Sequence, residues 1–217
     1  MSANNFIIIK GEKFTTPVAR FRYPKLITPD FTYNPDGEYK VQPMIEAAEG
    51  QDLVDKLDNL LARHKESLKS QAPTQKFKLA DLPWSFETFD GLACVSLKSK
   101  MKAGGIDRDG KPWSRKPALF DAKGKPVTDR EALSGMWTGT VGRVSFMAMP
   151  FYSPAIGAGI TLRLQAVQII SLVESGGDAT SHGFEEEDGW TPSEESKQPQ
   201  AEIPWDASPV AADEGDF

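Results

Sequence analysis

One cysteine and two histidines in 217 residues leave little with which to build a metal centre, a disulfide framework or a thiol or imidazole catalyst. Cys94 stands in the apolar stretch Leu92-Ala93-Cys94-Val95-Ser96-Leu97, which predicts a buried, inert thiol in a reducing, intracellular protein. His64 has no second histidine at helical spacing and reads as a core or helix-boundary residue. No eighteen apolar residues run together, so no membrane span is expected. The apolar run Phe6-Ile7-Ile8-Ile9 is too short for the core of a secretion signal, and no charged segment precedes it. The signatures GxxxxGK[ST], HExxH, CxxC and GxSxG are all missing. Asp107-Arg108-Asp109-Gly110 opens like a calcium loop, but the later ligands do not follow, so it reads as a turn. No cofactor and no metal are expected. The balance favours binding over catalysis.

Aromatic residues and divided charge are what the sequence does have. Five Trp, four Tyr and twelve Phe are many for this length. The net charge of −6 conceals two opposite parts: residues 174–217 carry 13 acidic side chains against Lys197 alone, while residues 1–173 carry a net +6. The acidic part contains four prolines, Gly176-Gly177 and the run Glu185-Glu186-Glu187-Asp188, and too few aliphatic residues to offset the entropy of ordering. It is expected to be a disordered tail, 174–217, behind one folded domain, 1–173. A basic body joined to an acidic tail suits nucleic-acid binding, with the tail as internal competitor or partner hook; a plain solubility role is the bland alternative.

The pattern along 1–173 is mainly β. Phe6 to Lys10 reads as a short strand and Phe14 to Tyr23 as a strand broken at Pro17, with Arg20 and Arg22 on one face and Phe21 and Tyr23 on the other. Asn34-Pro35-Asp36-Gly37 followed by Glu38 to Met44 marks a hairpin. Leu53, Val54, Leu57, Leu60, Leu61, His64 and Leu68 recur at three- and four-residue spacing, predicting an amphipathic helix over 47–71. Residues 73–90 read as a mobile connection, Leu92 to Lys98 as a strand, 99–126 as a long basic loop with a turn at Asp121 to Gly124, and Asp129 to Leu133 as a helical turn. Met136 to Met149 and Ile160 to Val173 are long strand candidates separated by turn-rich residues. One helix among several strands with long basic loops fits a five-stranded, OB-fold-like barrel; an antiparallel sandwich also fits.

Binding a single nucleic-acid strand requires cations that follow phosphates and aromatic faces that take bases. Lys98, Lys100 and Lys102 alternate along one strand end; Trp113 lies among Lys111, Arg115 and Lys116; Arg20, Arg22 and Tyr23 form a further cluster, and Tyr152 sits in a turn. Phe21, Phe146 and Trp137, flanked by alternating polar residues, are assigned to the core. A carboxylate-based, metal-dependent nuclease and a virion structural or assembly protein are the readings from other classes.

The chain ends Ile203-Pro204-Trp205-Asp206, then Asp213-Glu214-Gly215-Asp216-Phe217. An acidic tail closing on phenylalanine behind a basic β-rich body resembles the phage-encoded single-stranded DNA-binding proteins, although bacterial members end in Ile-Pro-Phe. The resemblance implies a non-enzymatic, sequence-tolerant binder of single-stranded DNA, acting in DNA replication or recombination in the cytoplasm of an infected host. It also implies that Trp205, Asp213, Glu214, Asp216 and Phe217 engage replication or recombination proteins. Oligomeric state is left open, a homodimer included.

Overall fold

Alternation and turn chemistry account for most of the framework. The protein is described by a computed structural model covering residues 6–174. The expected tail, with Trp205, Asp213, Glu214, Asp216 and Phe217, lies outside these residues. The strands are β1 (Glu12–Thr15), β2 (Ala19–Asp30), β3 (Glu38–Glu46), β4 (Trp84–Phe89), β5 (Leu92–Leu97), β6 (Ser99–Lys102), β7 (Gly104–Ile106), β8 (Pro112–Ser114), β9 (Ala118–Phe120), β10 (Val141–Ser153) and β11 (Gly157–Ser171). The helix α1 spans Ala47–Gln71, the bounds its leucine spacing predicts. No helix among the described residues is long and apolar enough to cross a membrane.

Five strands close on themselves. β2 pairs β3, β3 pairs β6, β6 runs parallel to β11, β11 pairs β10, and β10 returns to β2. This is the expected five-stranded barrel, with β5 and β4 extending the sheet beyond β3, β1 added to β10 and β9 to β11. Ile160, Leu162 and Leu164 point inward from β11 and meet Phe21 of β2 and Val144, Phe146 and Ala148 of β10 in one core. The helix lies between the second and third barrel strands and packs against β3, β5, β10 and β11. His64 is fully buried on it and its Nε2 lies 2.8 Å from the carbonyl oxygen of Phe151, a core role. Cys94 is also buried, and burial pushes its thiol up, away from the reactive thiolate.

Several sequence expectations need correction. Phe6 to Lys10 is not a strand: the Gln71 side-chain amide, at the end of α1, accepts from the Ile7 N–H and donates to the Ile7 carbonyl, so a side chain satisfies backbone that a neighbouring strand would otherwise pair. Residues 73–90 include β4, an edge strand whose exposed Phe86 hides the inside-outside pattern. The basic loop 99–126 is largely ordered into β6, the β7–β8 hairpin and β9. Trp137 is 58% exposed and not in the core. The strand begins only at Val141, so residues 137–140 are a turn and strand parity does not apply to them. Tyr23 also leaves the expected face. Its φ of +50°, at a break in the β2–β3 register, turns it outward beside Arg22.

Candidate nucleic-acid interface

Strand parity and register bring cations from distant parts of the chain side by side. On β6 and the residue before it, Leu97, Ser99 and Met101 are buried, so Lys98, Lys100 and Lys102 all face solvent on one side, as expected. Lys100 is in register with Lys40 of β3 and Arg163 of β11, and Lys40 in turn with Lys25 of β2. Lys25, Lys40, Lys100 and Arg163 thus form a row across four strands of the barrel. Like charges directly opposed across strands cost stability, so a fold with no anion to bind has no use for such a row.

Carboxylates moderate the repulsion. Asp30 pairs with Lys40 at 2.5 Å, and Glu38 lies 3.3 Å from the Lys100 ammonium. Lys40, together with the Thr32 hydroxyl and amide, holds the Asp30 carboxyl well below the usual range, so Asp30 keeps its charge at acid pH where other carboxylates protonate. Lys25, Lys98 and Lys102 have no ion pair among the described residues. Glu38→Gln should tighten binding of an anionic strand about five-fold at low salt, because one full charge a few ångströms away in water is worth about 1 kcal/mol. Titration of the variant at low and high salt checks this: the gain should vanish as screening increases.

Lys40 and Lys100 of the row also line a groove of about 650 Å³, with Arg22, Tyr23, Gln42 and Lys98 beside them and Phe151 and Ile156 at the β10–β11 end. Arg22 donates to Glu87 at 2.8 Å and to the Tyr23 hydroxyl at 3.3 Å, and its guanidinium sits 4.9 Å from the centre of the Tyr23 ring. The Tyr23 hydroxyl, and then the Glu87 carboxylate, raise the pKa of Arg22 still further. Glu87 also accepts from Gln42, which bonds Ser96, so the Arg22 side chain is fixed before any ligand arrives. Arg20 is held similarly by Asp90 at 2.7 Å and lies over Phe89.

The remaining expected residues are not in the lining of this groove. Lys102 leads into the β7–β8 hairpin, where Lys111 and Lys116 are exposed. Trp113 is half-buried there: a Cβ on Gly105 would lie 3.0 Å from its Cζ2, and Arg115 stacks 4.9 Å from its ring. Glycine at 105 is what lets the indole lie flat on the neighbouring strand. The Ala103 N–H donates to the Gly37 carbonyl at 2.9 Å, bringing this hairpin to the β2–β3 turn, where Phe31 and Tyr33 are exposed. Tyr152 packs edge-on against Phe6 and Phe77, which also touch each other, and its hydroxyl lies 3.2 Å from the Gln75 amide, so its ring belongs to a three-ring cluster within the protein. Sequence reasoning missed Lys25, Lys40 and Arg163. The outward parity of Arg163 beside Leu162 and Leu164 was the one local signal. Among the described residues no group of three or more His, Cys, Asp or Glu side chains could hold a metal ion.

No protein-family model matches the chain. It is similar to the single-stranded DNA-binding protein of Escherichia phage T7, 30% identical over 146 residues that are 63% of this chain and 60% of the relative. To the single-stranded DNA-binding protein of Enterobacteria phage T3 it is 28% identical over 128 residues, 58% of this chain and 53% of the relative. The match thus spans little more than half the length of these relatives. The fold is similar to the crystal structure of gp2.5, a single-stranded DNA-binding protein encoded by bacteriophage T7, with a TM-score of 0.65, 23% identity, and coverage of 84% of this chain and 100% of that one. It is also similar to the single-stranded DNA-binding protein of bacteriophage Enc34 in complex with single-stranded DNA, with a TM-score of 0.54, 14% identity, and coverage of 81% and 100%.

Proposed function

We infer that this chain, which resembles phage single-stranded DNA-binding proteins in sequence and fold, is itself a sequence-tolerant binder of single-stranded DNA. The observation that carries the reading is the row Lys25, Lys40, Lys100 and Arg163, of which Lys40 and Lys100 line a groove with Arg22 and Tyr23 at its wall. OB-folds bind nucleic acid on the face of their second and third strands and with the loops joining strands 1–2 and 4–5. Here those strands are β3 and β5–β6, and those loops are the segments before Gly37 and after Ser153. Cations spaced along the groove would neutralise phosphates, and the exposed aromatic rings would take bases without reading their edges.

On this reading the body protects and orders exposed strands during phage DNA replication or recombination, in the cytoplasm of the infected host. The acidic residues 174–217 compete for the groove and, once displaced, present Trp205, Asp213, Glu214, Asp216 and Phe217 to partner proteins. The charge contrast between −12 and +6 along one chain supports this.

A band-shift on a labelled oligonucleotide, with magnesium and with chelator, tests the function. A shift without cleavage in both is expected, with log affinity falling by about 0.7 per phosphate contact for each unit of log salt. Magnesium-dependent cleavage would point to a nuclease, and no shift to a structural protein.

A further inference from the structure

Beyond the groove, on the far side of Tyr23, lies a second concavity of about 330 Å³ with Tyr23, Pro24, Lys25, Met136, Trp137 and Thr138 in its lining. Both of its large rings are open to solvent, Tyr23 at 59% and Trp137 at 58% exposure. An indole left this far out forgoes most of the burial that usually places tryptophan, yet the backbone beneath it is held from several directions. The Trp137 N–H donates to the Val173 carbonyl at 2.7 Å, and the Gly139 N–H to the Phe21 carbonyl at 2.8 Å. Thr140, fully buried, exchanges hydrogen bonds with both backbone groups of Val173. The same turn fixes Tyr23, whose N–H donates to the Thr138 hydroxyl at 3.2 Å. A tyrosine at φ +50° carries backbone strain, and here the strain sets the ring between the two concavities. Lys25 stands at the junction as well, in register with Lys40 of the cation row and without an ion pair among the described residues.

The geometry points to a base-binding subsite at Trp137: a single strand leaving the main groove passes Tyr23, gives a phosphate to Lys25 and stacks its next base on the Trp137 indole. This rests on the single-stranded DNA reading and extends it, since it fixes where the strand exits and makes affinity depend on length. Oligomers short enough to stay within the groove do not use Trp137; longer ones do. Two exposed rings and a cation lining one concavity supply what stacking without base readout requires.

The test is fluorescence anisotropy of the full chain with labelled oligothymidylates of roughly 4 to 16 nucleotides, spanning the footprints known for OB-folds. Trp137→Ala should leave the shortest oligomers bound as in the unsubstituted protein and weaken the longest about ten-fold. Trp137→Phe, which keeps a stacking face, should recover most of that loss. Quenching of tryptophan emission by long oligomers should lose a component in Trp137→Phe, whatever the change in affinity. Equal affinities for Trp137→Ala and the unsubstituted protein at every length, or a loss equal at every length, would overturn the subsite while leaving the groove in place. If the unsubstituted protein binds none of the oligomers, the single-stranded DNA reading itself falls, and the subsite with it.

Discussion

Reversing two charges beside each other, Lys98→Glu with Lys100→Glu, should lower affinity for single-stranded DNA at least a hundred-fold at low salt. Both side chains face the groove, and neither supports the core, since Leu97, Ser99 and Met101 fill the inward positions between and beside them. A hydrogen bond to a charged group is worth about 1.5–3 kcal/mol, so two lost phosphate contacts amount to about 3 kcal/mol or more before repulsion by the new carboxylates is counted. The carboxylate introduced at position 100 would also face Glu38, which now lies 3.3 Å from the Lys100 ammonium, adding repulsion where there was attraction. The salt dependence provides a second reading of the same experiment. Two fewer phosphates neutralised should reduce the slope of log affinity against log salt by about 1.4. Filter binding at several salt concentrations, with circular dichroism to show an unchanged fold, decides it. An unchanged slope would mean that the DNA does not run over β6.

The second large effect concerns the fold. Phe21→Ala should destabilise the protein by about 3–5 kcal/mol, the usual cost of emptying a phenylalanine site in a core. Phe21 is fully buried, and it sits where β10 approaches so closely that a Cβ on Gly142 would lie 2.7 Å from its ring and 2.1 Å from the Gln168 carbonyl oxygen. That carbonyl belongs to the backbone of β11, so neither neighbour can move in to fill the space. The residue also lies between Arg20 and Arg22, and its carbonyl, which the substitution keeps, accepts the Gly139 N–H, so any shift of the β2 backbone around the missing ring should reach the groove wall and the turn below Trp137 together. Urea denaturation monitored by circular dichroism measures the stability. A cost below about 1 kcal/mol would show that the core can collapse around the gap.

What the sequence disclosed and what it concealed divide along physical lines. Features set by nearby residues were legible: the helix from its leucine spacing, the outward face of Lys98, Lys100 and Lys102 from strand parity, and the turn at Asn34 to Gly37 from its residue types. The Asn34 Oδ1 accepts the Asp36 N–H at 3.1 Å, and Gly37 has φ +76°, the conformation such a turn requires. Features that depend on which strands meet were not legible. Lys25 and Lys40 carry no signal of their own, and only the long-range register places them in a row with Lys100 and Arg163, whose outward faces strand parity gives. Trp137 was misplaced because the alternation of its neighbours was read as part of a strand beginning at Met136, whereas the chain turns through residues 137–140 before the strand begins. Tyr23 followed the alternation of its neighbours until the irregularity before Lys25, a backbone choice that no side-chain pattern reveals.

The barrel is closed by two short joins. In ladder register β10 meets β2 through two pairs, Val141 with Arg20 and Gly142 with Ala19, continued by the bonds of Phe21 to Thr140 and Gly139 just before β10, and β11 meets β6 through two, Leu162 with Ser99 and Arg163 with Lys100. Each join brings together strands far apart in the chain, so the entropy of closing a long loop is met by only a few ladder bonds. The β2–β3 and β10–β11 hairpins can form early from local contacts, and the ring should close last in folding and part first when the native state fluctuates. One join carries Arg163 and Lys100, half of the cation row. A strand of nucleic acid held along that row would lie across the join like a strap, so occupancy would slow the opening of the barrel as well as fill its groove.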